Sequence, residues 1–173
     1  MRVLVIGGSG NISYAVVQEL LNCHHDVAVL NRGNQKIPGV RQLTADRYRK
    51  DSFLPAVSGE AFDCVIDMIC YCRKDAELLI RAFAGRAQQI VFCSTVDVYR
   101  KPALSYPVSE SAEIGADPAF EYAWQKVQCE QLLWEEAAKG AFALTVVRPA
   151  AISQAVMAAA DPTKREAQTD VNA

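Results

Sequence analysis

The chain has 173 residues, 51% of them hydrophobic, and a formal net charge of −2 from 18 basic and 20 acidic residues. That length carries one good core and excludes two full domains, while a near-balanced charge without runs gives no electrostatic footprint for nucleic acid or an anionic membrane. No apolar stretch reaches membrane-span length, and Met1-Arg2 leads straight into a first strand rather than a secretory signal, so a cytoplasmic protein without a membrane partner is expected.

The first element is the apolar run Val3-Leu4-Val5-Ile6, which passes through Gly7-Gly8-Ser9-Gly10-Asn11-Ile12-Ser13 into a helix over Asn11 to Asn22. A strand that ends in a glycine turn and opens a helix is what a dinucleotide's pyrophosphate needs. Gly7 lets the backbone turn sharply. Gly10 removes the side chain that would hold phosphates away from the helix N-terminus, whose unpaired N–H groups and dipole favour negative charge. The spacing is Gly7-x-x-Gly10-x-x-Ser13, with a small serine where close helix-on-strand packing usually takes a third glycine. A glycine turn of this kind can also be purely structural. Its setting favours a nucleotide: Ile12, Ala15, Val16 and Leu20 recur at helical spacing as the expected buried face, and a second strand, Val27 to Leu30, arrives where a strand–helix–strand unit needs it. Gly7, Gly8, Ser9, Gly10, Asn11 and Ile12 are therefore candidate cofactor-binding residues.

Cys23-His24-His25 reads as a solvated turn before the second strand; no fellow ligands are evident, Cys70-Tyr71-Cys72 is too tight for zinc, and no metal site is expected. The six cysteines, several inside apolar runs, read as reduced thiols. Further apolar runs follow at Val40 to Leu43, Cys64 to Ile66, Ile90 to Cys93 and Leu144 to Val147. Between them lie helical patterns at Ser52 to Val57, at Asp75 to Ala84, and in a long segment that begins after Asp117-Pro118 and ends near Gly140. Asp117 is expected to cap that long helix, with Pro118 in its first turn and Gly140 at a left-handed exit. The pattern specifies an α/β fold, a Rossmann-type doubly wound parallel sheet in three α/β/α layers. Residues 1–150 form the expected nucleotide-binding domain. Residues 151–173, alanine-rich and then polar, read as a tail whose last ten or so residues are mobile.

Ligands of open parallel sheets sit beyond the carboxyl ends of the strands, so the residues there carry the chemistry. At the end of the second strand, where a carboxylate would hold the adenosine ribose, stand Asn31 and Arg32. The guanidinium suits a 2′-phosphate, which points to NADP; Asn31 can equally bond a ribose hydroxyl and Arg32 can lie across the adenine, which leaves NAD as the alternative. Asp46, after the third strand, meets the adenine edge or caps a helix. On the long helix, Tyr122 and Lys126 lie four residues apart and so share a face. A cation about 4 Å from a phenol at an effective dielectric of ~20 is worth ~4 kcal/mol, enough to bring a pKa near ~10 towards neutrality. An exposed pair without a role would have the same spacing. Ser94-Thr95, closing the fifth strand, adds hydroxyls able to hold a substrate oxygen.

Together the glycine turn, Leu30-Asn31-Arg32-Gly33, Phe92-Cys93-Ser94-Thr95-Val96-Asp97-Val98-Tyr99, Tyr122 with Lys126, and Val146-Val147-Arg148-Pro149 resemble the short-chain dehydrogenase/reductase superfamily, more closely its extended or atypical branch, the NAD-dependent epimerase/dehydratase family. The resemblance covers about residues 1 to 150. It implies that Tyr122 is the general acid/base, that Lys126 holds the nicotinamide ribose and lowers the tyrosine pKa, and that Thr95, counted back from Val98-Tyr99, orients the substrate hydroxyl. Asp67 stands where many relatives carry a different polar residue. The implied function is NAD(P)-dependent oxidation, reduction, epimerisation or dehydration of a hydroxylated small molecule such as a nucleotide sugar, in a protein that pairs as a homodimer through helices such as the one bearing Tyr122. The alternatives are a non-catalytic dinucleotide-binding relative, redox-sensing or RNA-associated, or an inactive fragment. Members of the family continue past the Arg148-Pro149 strand into a substrate-gripping lobe, which is expected to be absent here.

Overall fold

The computed structural model describes residues 1–150 and Ile152, and the expected tail, 151–173, otherwise lies outside the described residues. Six strands, β1 (Arg2–Ile6), β2 (Asp26–Asn31), β3 (Arg41–Thr44), β4 (Phe62–Asp67), β5 (Ala87–Cys93) and β6 (Ala143–Val147), form one sheet in the order β3-β2-β1-β4-β5-β6. Every pairing is parallel. The winding reverses between β1, which pairs Ile6 with Leu30 of β2 on one side, and β4, which sets Asp67 against Ile6 on the other.

Alternate residues of the central strands supply two apolar layers, which is why these strands read as unbroken hydrophobic runs. Leu4, Ile6, Leu30, Val65, Ile90 and Phe92 face three helices, α2 (Lys50–Ala56), α3 (Arg73–Phe83) and α4 (Glu121–Ala138), through Phe53, Leu79, Phe83 and Leu133. Val3, Val5, Val27 and Val29 face α1 (Asn11–Asn22) through Val17.

The helix borders and faces depart from expectation where a side chain bonds locally. On α1 the buried stripe is Ser13 and Val17, and Ile12, Ala15, Val16 and Leu20 are only half-buried. Ser13 sits against the strand in the third glycine's place. Its hydroxyl accepts from the Gly10 N–H at 2.9 Å and donates to the Gly10 carbonyl at 3.1 Å, which rotates the apolar face by one residue. Helix α3 starts two residues before the expected Asp75, because Asp75 works from the third helical position and accepts the N–H groups of Tyr71 (2.8 Å) and Cys72 (3.2 Å). Asp117 does not cap α4. It accepts the Ala119 N–H at 2.9 Å in a turn of its own, and Phe120 holds the cap position. The expected exit holds: Gly140, with φ +83°, follows the last turn.

One buried ion pair ties the β3–α2 loop to β4. Arg47, 4% exposed, forks onto both carboxylate oxygens of the fully buried Asp67 and lies over the Phe53 ring. Burial alone would depress the guanidinium, but the charge and bonds of Asp67 outweigh it and hold the Arg47 pKa above its ordinary value. Removing one member leaves the other charge buried without compensation. We expect Asp67→Leu to lose roughly 3–5 kcal/mol in urea unfolding at neutral pH, and Arg47→Met with Asp67→Leu to recover most of it. A single-variant loss below about 1 kcal/mol would remove the ion pair from this account of the fold.

Candidate active site

The carboxyl edge of the sheet opens into two adjoining crevices of about 470 and 540 Å³ that share Gly7, Ser9, Ile69 and Tyr71. They lie on either side of the glycine turn, at the point where the winding reverses. The strand order puts them there, since an open parallel sheet forms its crevice where the winding reverses.

At the turn, Gly7 adopts φ +112° and donates its N–H to the Leu30 carbonyl at 2.8 Å, which pins the corner to β2. Gly10, Asn11, Ile12 and Ser13 then border the larger crevice, and Gly8 packs under the turn against Val29 and Ile37. The first intrahelical bond runs from Tyr14 to Gly10, so the N–H groups of Asn11 and Ile12 are among those the helix leaves unpaired.

The smaller crevice is lined by the ends of β2 and β3. Asn31, Arg32, Asp46 and Arg47 all border it. Asn31 is buried, and its Oδ1 accepts from the Gly33 N–H (2.8 Å) and from Gln42 Nε2 (2.9 Å), while its Nδ2 has no partner. Arg32 is exposed and makes no ion pair among the described residues. Asp46 accepts the Tyr48 N–H at 3.0 Å and receives no helix bond, since α2 is capped at Arg49. The helix-cap alternative for Asp46 is thereby set aside.

The larger crevice brings together the three residues expected to do chemistry: Thr95, Tyr122 and Lys126 border it together with Gly7 and Gly10. Thr95 begins a 3-10 turn, Val96–Val98, with its Oγ1 accepting the Asp97 N–H at 3.2 Å. Val98, Ala116, Ala123 and Val127 pack that turn onto α4, which sets the height of Tyr122 above the crevice. Ser94 borders the crevice too, but its hydroxyl is committed to Glu130 at 2.5 Å.

Lys126 is 1% exposed and spends two of its three N–H groups on the carbonyls of Cys70 (2.8 Å) and Cys93 (2.6 Å). This overturns one expectation. The ammonium lies 5.8 Å from the Tyr122 ring centre and is engaged elsewhere, so it does not depress the phenol. Partial burial, with Cys93, Tyr71 and Asp97 adding to it and Thr95 opposing, holds the Tyr122 pKa above its ordinary value.

Several participants had no local signal. Tyr71 borders both crevices, and Arg47 and Asp67 meet across 20 positions of sequence. Behind the larger crevice Glu130 accepts two bonds from Arg148, at 3.0 and 2.6 Å, and Arg148 donates to the Tyr99 hydroxyl at 2.8 Å. Of these, Arg148 and Tyr99 belong to motifs visible in the sequence, and Asp67 is singled out there without a role. No cluster of three or more His, Cys, Asp or Glu able to hold a metal, and no helix long and apolar enough to cross a membrane, occurs among the described residues.

The chain is 36% identical over 155 residues to 2'-dehydrokanamycin reductase of Streptomyces kanamyceticus, an alignment that takes 88% of this chain and 43% of that protein. Among solved structures it resembles the UDP-Glc/GlcNAc 4-epimerase of Campylobacter jejuni (TM-score 0.74, 17% identity, 85% of this chain and 52% of that one). It also resembles the UDP-glucose 4-epimerase of Thermus thermophilus in complex with NAD (TM-score 0.73, 22% identity, 86% and 54%). The chain thus spans about half the length of these relatives. The profile of the NAD dependent epimerase/dehydratase family matches residues 3–153, nearly all of the described chain, and the protein belongs to that family.

Proposed function

We propose that the paired crevices bind a nicotinamide dinucleotide and that the larger one carries out oxidation or reduction at a hydroxyl-bearing carbon of a sugar-like small molecule. The observation that carries this reading is the single crevice bordered by the glycine turn on one side and by Thr95, Tyr122 and Lys126 on the other. The residues fit the group: the unpaired N–H groups of the first turn of α1 suit a pyrophosphate, and the orphaned Asn31 Nδ2 waits for an acceptor at the adenosine end. When bound, the nicotinamide supplies or accepts the hydride.

The chain's own part is placement and proton transfer. Lys126, with one N–H group left, holds a ribose hydroxyl, and its two carbonyl bonds keep it from swinging out. Thr95 orients the reacting oxygen of the substrate, and Tyr122 exchanges the proton with it. A phenol whose pKa is raised is protonated at neutral pH, so Tyr122 is set to act as an acid, the role that carbonyl reduction requires. That agrees with the reductase activity named for the Streptomyces relative; the epimerases named among the structural neighbours act on UDP-sugars, and a nucleotide sugar is the corresponding substrate class here. Asn31 and Arg32, in place of a carboxylate, favour NADP over NAD. The six cysteines are all free, which fits a reducing compartment, and we place the protein in the cytoplasm.

Tyr122→Phe is expected to lower turnover by about 10²–10⁴-fold while leaving nucleotide affinity, read from NADPH fluorescence, within about twofold. Unchanged turnover in that variant would assign the crevice a binding role alone. In the reductive direction kcat/KM is expected to stay level through neutral pH and fall only as the phenol ionises, above the ordinary tyrosine range. The oxidative direction rises over that same interval. A reductive profile that declines below about pH 8 would mean a different acid.

A further inference from the structure

Two buried side-chain nitrogens lack a partner among the described residues, Asn31 Nδ2 and Arg47 Nε. Both are donors, and both belong to residues that border the smaller crevice. A buried donor without an acceptor is costly, so whatever fills this crevice brings acceptor atoms.

The orientation of the Asn31 amide is set by two donors, one from the backbone and one from Gln42. The Gly33 N–H can only donate, and it points at Asn31 Oδ1 from 2.8 Å. Gln42, on the neighbouring strand β3, is fixed in the same way: its Nε2 donates at 2.9 Å to the Gln35 carbonyl, which can only accept. That same Nε2 donates a second bond, also at 2.9 Å, to Asn31 Oδ1. The oxygen edge of Asn31 is therefore saturated by two donors, and the N–H edge is the one left over, on a residue only 8% exposed. Turning the amide over would set its N–H edge against two other donors.

We propose that Gln42 is a specificity-determining positioning residue, which locks the Asn31 amide with its N–H edge, and not its oxygen, left unpartnered, so that the adenosine end of the crevice selects a 2′-phosphorylated nucleotide over an unphosphorylated one. The inference rests on the dinucleotide reading given above. The end of the second strand is where a doubly wound sheet meets the adenosine ribose. A ribose hydroxyl there can donate, and a carboxylate serves it because it accepts. The locked amide offers no acceptor. A phosphate ester at the same place carries acceptor oxygens and negative charge, matched by the Asn31 N–H edge and the exposed Arg32 guanidinium. Asp46 borders the crevice too; its Oδ1 accepts the Tyr48 N–H, and its charge works against the phosphate that Asn31 and Arg32 attract.

The test is equilibrium binding of NADPH and NADH to the wild-type protein, Asn31→Asp and Gln42→Met, each checked for its unfolding midpoint. Wild type is expected to prefer NADPH. Asn31→Asp keeps the shape, still accepts from Gly33 and Gln42, and turns an acceptor outward, so the NADPH:NADH affinity ratio is expected to fall by about tenfold or more. Gln42→Met keeps the volume and charge and removes the bonds to Asn31 Oδ1 and to the Gln35 carbonyl, so the ratio is expected to fall about fivefold. A merely structural role for Gln42 would weaken both nucleotides together and leave the ratio unmoved, which overturns the proposal, as does a wild-type preference for NADH. A shift in Asn31→Asp alone removes Gln42 from the account. If folded wild-type protein binds neither nucleotide, the dinucleotide reading itself falls, and this inference with it.

Discussion

The site depends on how a buried ammonium is satisfied. Lys126 is enclosed by the fold, and no carboxylate among the described residues lies within ion-pair reach of it. A buried charge left without partners costs several kcal/mol, so the fold must bring acceptors to it. It brings two carbonyls, one from Cys70 just past β4 and one from Cys93 at the end of β5, with the rings of Phe92 and Tyr71 at 4.9 and 5.1 Å. Satisfying Lys126 therefore fixes α4 across the ends of both strands at one height. Tyr122, one helical turn earlier, is carried over the crevice as a consequence.

The same edge explains why the two crevices adjoin. Because the winding reverses between β1 and β4, the corner at Gly7 has open space on both sides, and Ser9, Ile69 and Tyr71 continue the floor from one crevice to the other. The two halves differ chemically. The half beside Asn31 presents buried donors without partners, whereas the half beside Tyr122 presents hydroxyls and an ammonium.

Much of this was legible because its signals are local. All six strands were located from their apolar runs; the inner strands β1 and β2 are buried on both faces and leave no polar alternation, and the edge strands β3 and β6 keep apolar residues although partly exposed. The glycine turn, Asn31, Thr95, Tyr122 and Lys126 fall where a motif or a helical spacing puts them. The failures follow from contacts that a sequence does not display. Ser13 took the buried place on α1 through its bonds to Gly10, so the face counted from Ile12 and Ala15 was off by one residue. Asp117 had the right chemistry for a helix cap and spent it on a tighter turn. The expected lowering of the Tyr122 pKa assumed that a shared helix face means contact. The ammonium found carbonyl partners instead, and the phenol, half in solvent, responds to burial.

Each crevice is backed by one carboxylate–guanidinium fork that sequence reasoning could not pair: Arg47 with Asp67 behind the smaller, Arg148 with Glu130 behind the larger. Buried pairs of this kind contribute little net stability compared with well-packed apolar side chains, because desolvation offsets most of the attraction. What they do supply is geometry, since a planar fork meets a carboxylate in few orientations. Asp67 also accepts the Ile69 N–H at 3.0 Å, so the first pair sets the backbone that floors both crevices. Glu130 also holds the Ser94 hydroxyl, and the adjoining Val96 N–H donates to the Pro149 carbonyl at 3.2 Å, so the second pair sets the wall that carries Thr95. In both cases the backbone they hold borders a crevice, and Arg47 itself lines the smaller one. An apolar replacement could match their stability, but it would leave the loop after β3 and the segment after β6 free to shift by the fractions of an ångström that orientation of a reacting group does not tolerate.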